Sequence, residues 1–167
     1  FSRSEALSQL FTASQAAETV FADINGDGYD DFVEINSNAA NLFINNQDNP
    51  FTKYDETVTG LTKSGDTSIT AGDVNNDGRT DLVVSGFNIM TKIYYNNGNN
   101  TFKGVDVPKE VTARSGNLNL VDINGDRTLD LSNFGYGDGF TSAYVLNDLS
   151  QNTLPANIAP RVPAGLT

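Results

Sequence analysis

The chain has 167 residues, close to the size of a single domain, and sets 10 Lys and Arg against 21 Asp and Glu for a net charge of −11. That balance argues against a nucleic-acid partner, and no stretch nears the roughly 18 consecutive apolar residues of a membrane span. Zero Cys and zero His remove disulfides, thiolate zinc sites, thiol nucleophiles and imidazole bases, whereas 21 Asn beside 15 Gly point to turns that carry oxygen ligands.

Along the chain, residue 1 is Phe, which reads as a processed or trimmed piece of a longer product whose export signal lies outside the numbering. Residues 5–17 have helical propensity, yet they align with residues 55–67, where Thr, Val and Gly disfavour a helix, so a short helical turn is the less favoured reading. The segment DINGDGYDD from Asp23 returns as DVNNDGRTD from Asp73 and DINGDRTLD from Asp122, 50 and 49 residues later. Asn45, Asn96 and Asn147 keep a spacing of 51, and Phe1, Phe51 and Phe102 keep nearly the same beat. Three repeats follow, 1–50, 51–101 and 102–154, together one domain.

Within each repeat the apolar residues fall in short runs bounded by Gly, Asn and Asp, the strand pattern rather than the 3.6-residue helical one. In the middle repeat strands are expected at residues 51–54, 68–72, 81–85 and 92–96, giving four per repeat. YNNGNNTF, between Tyr95 and Phe102, reads as a hairpin because Asn-Gly takes positive φ readily. Its counterparts are INNQDNPF and the weaker LNDLSQNTL. Pro155, Pro160 and Pro163 mark residues 155–167 as a linker or extended tail.

Each aspartate segment puts oxygen-bearing side chains at positions 1, 3, 5 and 9. They are Asp23, Asn25, Asp27 and Asp31; Asp73, Asn75, Asp77 and Asp81; and Asp122, Asn124, Asp126 and Asp130. Alternate spacing with Gly at position 6 curls a backbone so that successive side chains converge, and calcium takes six to eight oxygens. The carbonyls at position 7, of Tyr29, Arg79 and Thr128, add a ligand by the same geometry. Two to three calcium ions per chain are the expectation, since carboxylates converging without a cation would repel one another. In the third loop Arg127 stands where Gly is expected; positive φ there would cost about 1 kcal/mol, so this site is expected to be the weakest.

An EF-hand is the rival calcium motif, and Glu34 at position 12 of the first loop suits it. Position 12 of the other loops is Val84 and Asn133, and the residues that follow are strand-like where an EF-hand needs a helix.

On TAGDVNNDGRTDLVVSG (70–86) and IYYNNGNNTF (93–102), the repeats over residues 1–154 resemble FG-GAP, or VCBS, repeats. The resemblance implies an all-β fold of three four-stranded antiparallel propeller-type blades, with calcium in the loop between two strands. Such propellers close with about six to eight blades. Three imply part of a larger ring, a ring completed by self-association, or an open stack.

The function expected is a calcium-binding recognition or scaffold module of an extracellular or cell-surface protein, without catalysis, whose ligand is a protein or a glycan. The alternative is a lectin-like module in which Tyr94, Tyr95, Tyr136, Phe140 and Tyr144 stack on sugars. A glycosidase built on Asp30, Asp31 or Glu34 is disfavoured, because the loop already explains the acids. Asn99-Asn100-Thr101 forms a glycosylation sequon within the hairpin.

Overall fold

The computed structural model describes residues 18–47, 49–65, 67–86, 89–107, 114–137 and 139–145. They build three antiparallel sheets in chain order. The first comprises β1 (Glu18–Ala22), β2 (Asp31–Ile35), β3 (Ala40–Asn46) and β4 (Asn49–Tyr54). The second comprises β5 (Ser68–Gly72), β6 (Asp81–Gly86), β7 (Ile89–Asn96) and β8 (Phe102–Asp106). In the third, β10 (Asp130–Gly137) lies between β9 (Arg114–Val121) and β11 (Gly139–Val145). The described part of this sheet therefore has three strands, not four. The fourth expected strand, the LNDLSQNTL hairpin and the proline-rich stretch lie outside the described residues, as do residues 5–17.

Side-chain alternation decides how the sheets pack, because neighbouring residues of a strand face opposite sides. On β6, Leu82 and Val84 turn to the first sheet and join Val33, Ile35, Leu42 and Ile44, while Val83 turns the other way. The same split on β7 sends Tyr94 into this first core and Ile93 and Tyr95 into a second, with Leu118 of β9 and Leu131 of β10. The middle sheet is thus covered on both faces. On the far face of the first sheet, Phe32 and Phe43 stack at 4.3 Å between ring centroids, and Phe51 meets Phe32 edge-on.

Two expectations need correction. The strand at 51–54 lies within β4, which hydrogen-bonds to β3 and so completes the first sheet rather than opening the second. A short loop between consecutive antiparallel strands forces them to pair, so the first sheet runs on past residue 50 to Tyr54. The same holds at residue 102, where β7 and β8 pair across the expected hairpin, closed by Asn97 N–H to the Thr101 carbonyl at 3.0 Å, with Gly98 at φ 83°.

The second correction is a one-turn helix, α1 (Glu56–Thr59), in the segment where helix was disfavoured. Capping outweighs propensity there. The Asp55 side chain accepts from Thr57 N–H at 3.0 Å, and Gly60 closes the turn at φ 76°.

Candidate functional site: three aspartate loops on one edge

The three loops join β1 to β2, β5 to β6 and β9 to β10. A strand follows each, which removes the EF-hand reading on structural grounds. Their backbones repeat. Positions 4 and 6 are left-handed in all three: Gly26 and Gly28 at φ 79° and 89°, Asn76 and Gly78 at 56° and 84°, Gly125 and Arg127 at 79° and 72°. The expected strain at Arg127 is therefore real, and position 4 is a second conformational demand that the motif spacing did not reveal. Asn and Gly meet it at least cost.

This curl gathers backbone N–H groups around the position 1 carboxylate. Asp23 accepts from Gly26 at 2.8 Å, Asp27 at 3.0 Å and Gly28 at 2.8 Å. Asp73 accepts from Asp77 and Gly78, and Asp122 from Gly125, Asp126 and Arg127. Positions 3 and 5 are then tied together. Asn25 donates its amide to Asp27 at 3.0 Å and accepts the Asp27 N–H at 2.9 Å, and Asn75 with Asp77 and Asn124 with Asp126 do the same.

Position 9 behaves differently. Asp31, Asp81 and Asp130 are completely buried, and their oxygens accept backbone N–H groups: Asp31 from Ile24, Asn25 and Asn45, Asp81 from Val74 and Asn96, Asp130 from Ile123. Burial pushes the Asp81 carboxyl up to about 7, reinforced by the negative charges of Asp77 and Asp73, and raises Asp31 for the same first reason. At exposed Asp126 the Thr128 hydroxyl and N–H hold the carboxyl below its usual value. Each loop thus brings positions 1, 3 and 5 together and turns position 9 inward as a brace. Among the described residues no three carboxylates converge at one point.

The donor chemistry still fits a hard cation. A carboxylate offers about four lone-pair directions. Asp23 uses three, Asp27 two, with Tyr29 N–H and the Asn25 amide, and the Asn25 oxygen one. Every remaining donor is oxygen, the ligand calcium prefers.

The loops also touch one another. The Asn96 amide donates to the Ile24 carbonyl of the first loop at 2.8 Å and to the Thr80 carbonyl of the second at 3.0 Å. Asn76 donates to the Arg127 carbonyl at 3.3 Å. Asn45 holds the first loop as Asn96 holds the second, through its own N–H to Asp31 and its amide to the Asp30 carbonyl. The 51-residue spacing of Asn45 and Asn96 marked these positions in the sequence without disclosing their work as loop braces. Between the first two loops lies a cleft of about 160 Å³ lined by Asp23, Asn25, Arg79, Thr80 and Gly98.

The family model for an FG-GAP-like repeat matches residues 23–84, from the start of the first loop to the strand after the second. Residues 23–84, which hold two of the three loops, are thus similar to an FG-GAP-like repeat. No curated protein matches the chain significantly. Among solved structures it is similar to a lectin of Agrocybe aegerita described by its specific recognition of non-reducing terminal N-acetylglucosamine, at 25% identity and a TM-score of 0.51. The match covers 78% of this chain, which spans 38% of that lectin's length.

The tyrosines expected on a sugar-binding face divide. Tyr94 and Tyr95 are buried in the two cores, where alternation places them, so they offer no stacking surface. The side chains of Tyr136, Phe140 and Tyr144 lie outside the described residues. Glu34, once the EF-hand candidate, is buried on β2 between partners on β1 and β3.

Proposed function

We propose that the chain is a calcium-stabilised, non-catalytic recognition module with a propeller-like arrangement of sheets, working outside the cell or at its surface. The observation that carries this reading is the threefold recurrence of one loop, in which Asp, Asn and Asp at positions 1, 3 and 5 gather unspent oxygen lone pairs at one edge. Asp23, Asn25 and Asp27, Asp122, Asn124 and Asp126, and their equivalents in the second loop would hold the ion, with the carbonyls of Tyr29, Arg79 and Thr128. The buried carboxylates of Asp31, Asp81 and Asp130 brace the loop behind them. The bound ion supplies positive charge that offsets an acidic edge, and stabilises the folded state by linkage at the millimolar calcium found outside cells.

The test is a calorimetric calcium titration of chelator-stripped protein. Two to three ions per chain are expected, with one lost in Asp23→Ala and one in Asp122→Ala. Absence of any binding at millimolar calcium would overturn the reading.

A second reading is favoured by the cleft between the first two loops together with the likeness to the Agrocybe aegerita lectin. Its carboxylate, amide and guanidinium groups suit sugar hydroxyls. A glycan array with the purified protein decides it: binding lost on Asn25→Ala supports a lectin role, and a blank array at high protein concentration removes it.

A further inference from the structure

The edge that carries the aspartate loops also carries the turn between β7 and β8, because β7 ends at Asn96, whose N–H donates to Asp81 at the start of β6 at 2.8 Å. That turn holds the Asn99-Asn100-Thr101 sequon, and of the 21 Asn in the chain Asn99 alone begins an Asn-x-Ser/Thr sequence. The turn closes on itself without using Asn99. Asn97 N–H donates to the Thr101 carbonyl at 3.0 Å, the Asn97 amide to the Thr101 hydroxyl at 3.1 Å, and Gly98 N–H to the Asn96 side-chain oxygen at 2.8 Å. Gly98 and Asn100 take left-handed φ of 83° and 62°, and Asn99 stands exposed between them. Its Oδ1 accepts the Thr101 hydroxyl at 2.6 Å, while among the described residues its Nδ2 donates to nothing. Other Asn amides on this edge are engaged: those of Asn25, Asn75 and Asn124 with the position 5 aspartates, and that of Asn96 with two backbone carbonyls.

We propose that Asn99 is an N-glycosylation site, the acceptor for an oligosaccharide carried on a lipid pyrophosphate. This rests on the extracellular part of the reading above and adds a modification to it. In the transfer, Asn99 Nδ2 attacks the anomeric carbon of the first sugar. The C–N bond forms as the C–O bond to the pyrophosphate breaks, the lipid pyrophosphate departs with that electron pair, and an amide proton passes to a base of the transferase. A sequon needs a hydroxyl two residues beyond the acceptor, and a bulky, polar glycan needs solvent around its root once the chain has folded. Asn99 meets both demands. A sugar on Nδ2 replaces a hydrogen that bonds no described residue, so the turn gives up none of its contacts. One residue away, Gly98 lines the cleft between the first two loops, and the glycan therefore stands at the rim of that cleft.

The experiment is expression of the full chain behind a secretory leader in a eukaryotic host, as wild type, Asn99→Gln, Thr101→Val and Thr101→Ser. Gel mobility and intact mass are read before and after peptide N-glycosidase, in lysate and in medium, so that a chain held in the cell also answers. The wild type is expected to carry one glycan, which the glycosidase removes to leave an aspartate at that position. The glycan is absent from Asn99→Gln and Thr101→Val and present in Thr101→Ser, which keeps the hydroxyl. Thermal melting is expected to be the same for the glycosylated protein and for Asn99→Gln. A wild type without a glycan, a glycan that persists in Asn99→Gln, or a glycosylated protein that melts well below Asn99→Gln overturns the proposal, and secretion of the folded chain then leaves the extracellular reading standing. Retention of all four proteins in the cell overturns that reading instead, whether or not Asn99 carries a glycan.

Discussion

Arg127 and Asp81 show how single residues can work against the fold that contains them. Arg127 holds a left-handed conformation that Gly78 and Gly28 hold freely at the same loop position. Arg127→Gly is expected to stabilise the protein by at most about 0.5 kcal/mol, the relieved backbone strain less the added chain entropy, read as a raised urea midpoint with unchanged slope. Asp81 is a carboxyl whose burial lifts it from 3.8 to about 7. Because the folded state binds the proton more tightly than the unfolded one, its contribution to stability is full below about pH 4 and lost as pH rises through about 7. Urea unfolding in chelator across that range should therefore show Asp81→Asn gaining on the wild type with rising pH, and a constant difference between the two would refute this.

At the scale of elements, glycine sets how closely one strand can lie under an aromatic ring. On β8, Gly104 faces Tyr94 of the neighbouring strand, and a Cβ added there would sit 2.9 Å from the ring. Gly104→Ala is expected to cost about 1 to 3 kcal/mol through displacement of that buried ring, measurable by thermal melting. Strands at 68–72, 81–85 and 92–96 were readable because apolar runs between Asn, Asp and Gly leave little else. The sheet boundaries were not, because a 50-residue period has no intrinsic starting point and only strand pairing shows that β4 belongs with β3. The aspartate motif displayed positions 1, 3, 5 and 9 as equals. The inward turn of Asp31 and Asp81 draws on the N–H groups of Asn45 and Asn96 as well as on the loop's own, and these two come from strands 14 and 15 residues away, which no local pattern encodes. Tyr94 and Tyr95 were ambiguous for a related reason: adjacent aromatics suit a strand core and a sugar-binding face alike until both faces of their sheet prove to be covered.

For the molecule as a whole, stability is distributed unevenly. The middle sheet contributes to both hydrophobic clusters, whereas the first and third each face only one of the two. Amide hydrogen exchange should accordingly be slowest in β6 and β7, with Val83, Val84 and Ile93 the last to exchange. Calcium should slow exchange first in the loops it occupies and raise the melting temperature of the whole, since Asn96 and Asn76 join the three loops in series.

The two-sided packing of β6 also sets what changes in chain length this fold tolerates. Removing one residue from that strand would exchange the roles of Leu82, Val83 and Val84, so that both sheet interfaces receive the wrong side chains together. Length variation among related chains is therefore expected to concentrate in the solvent-facing turn at 97–101, where an added residue shifts no buried register, and to spare residues 81–86 altogether.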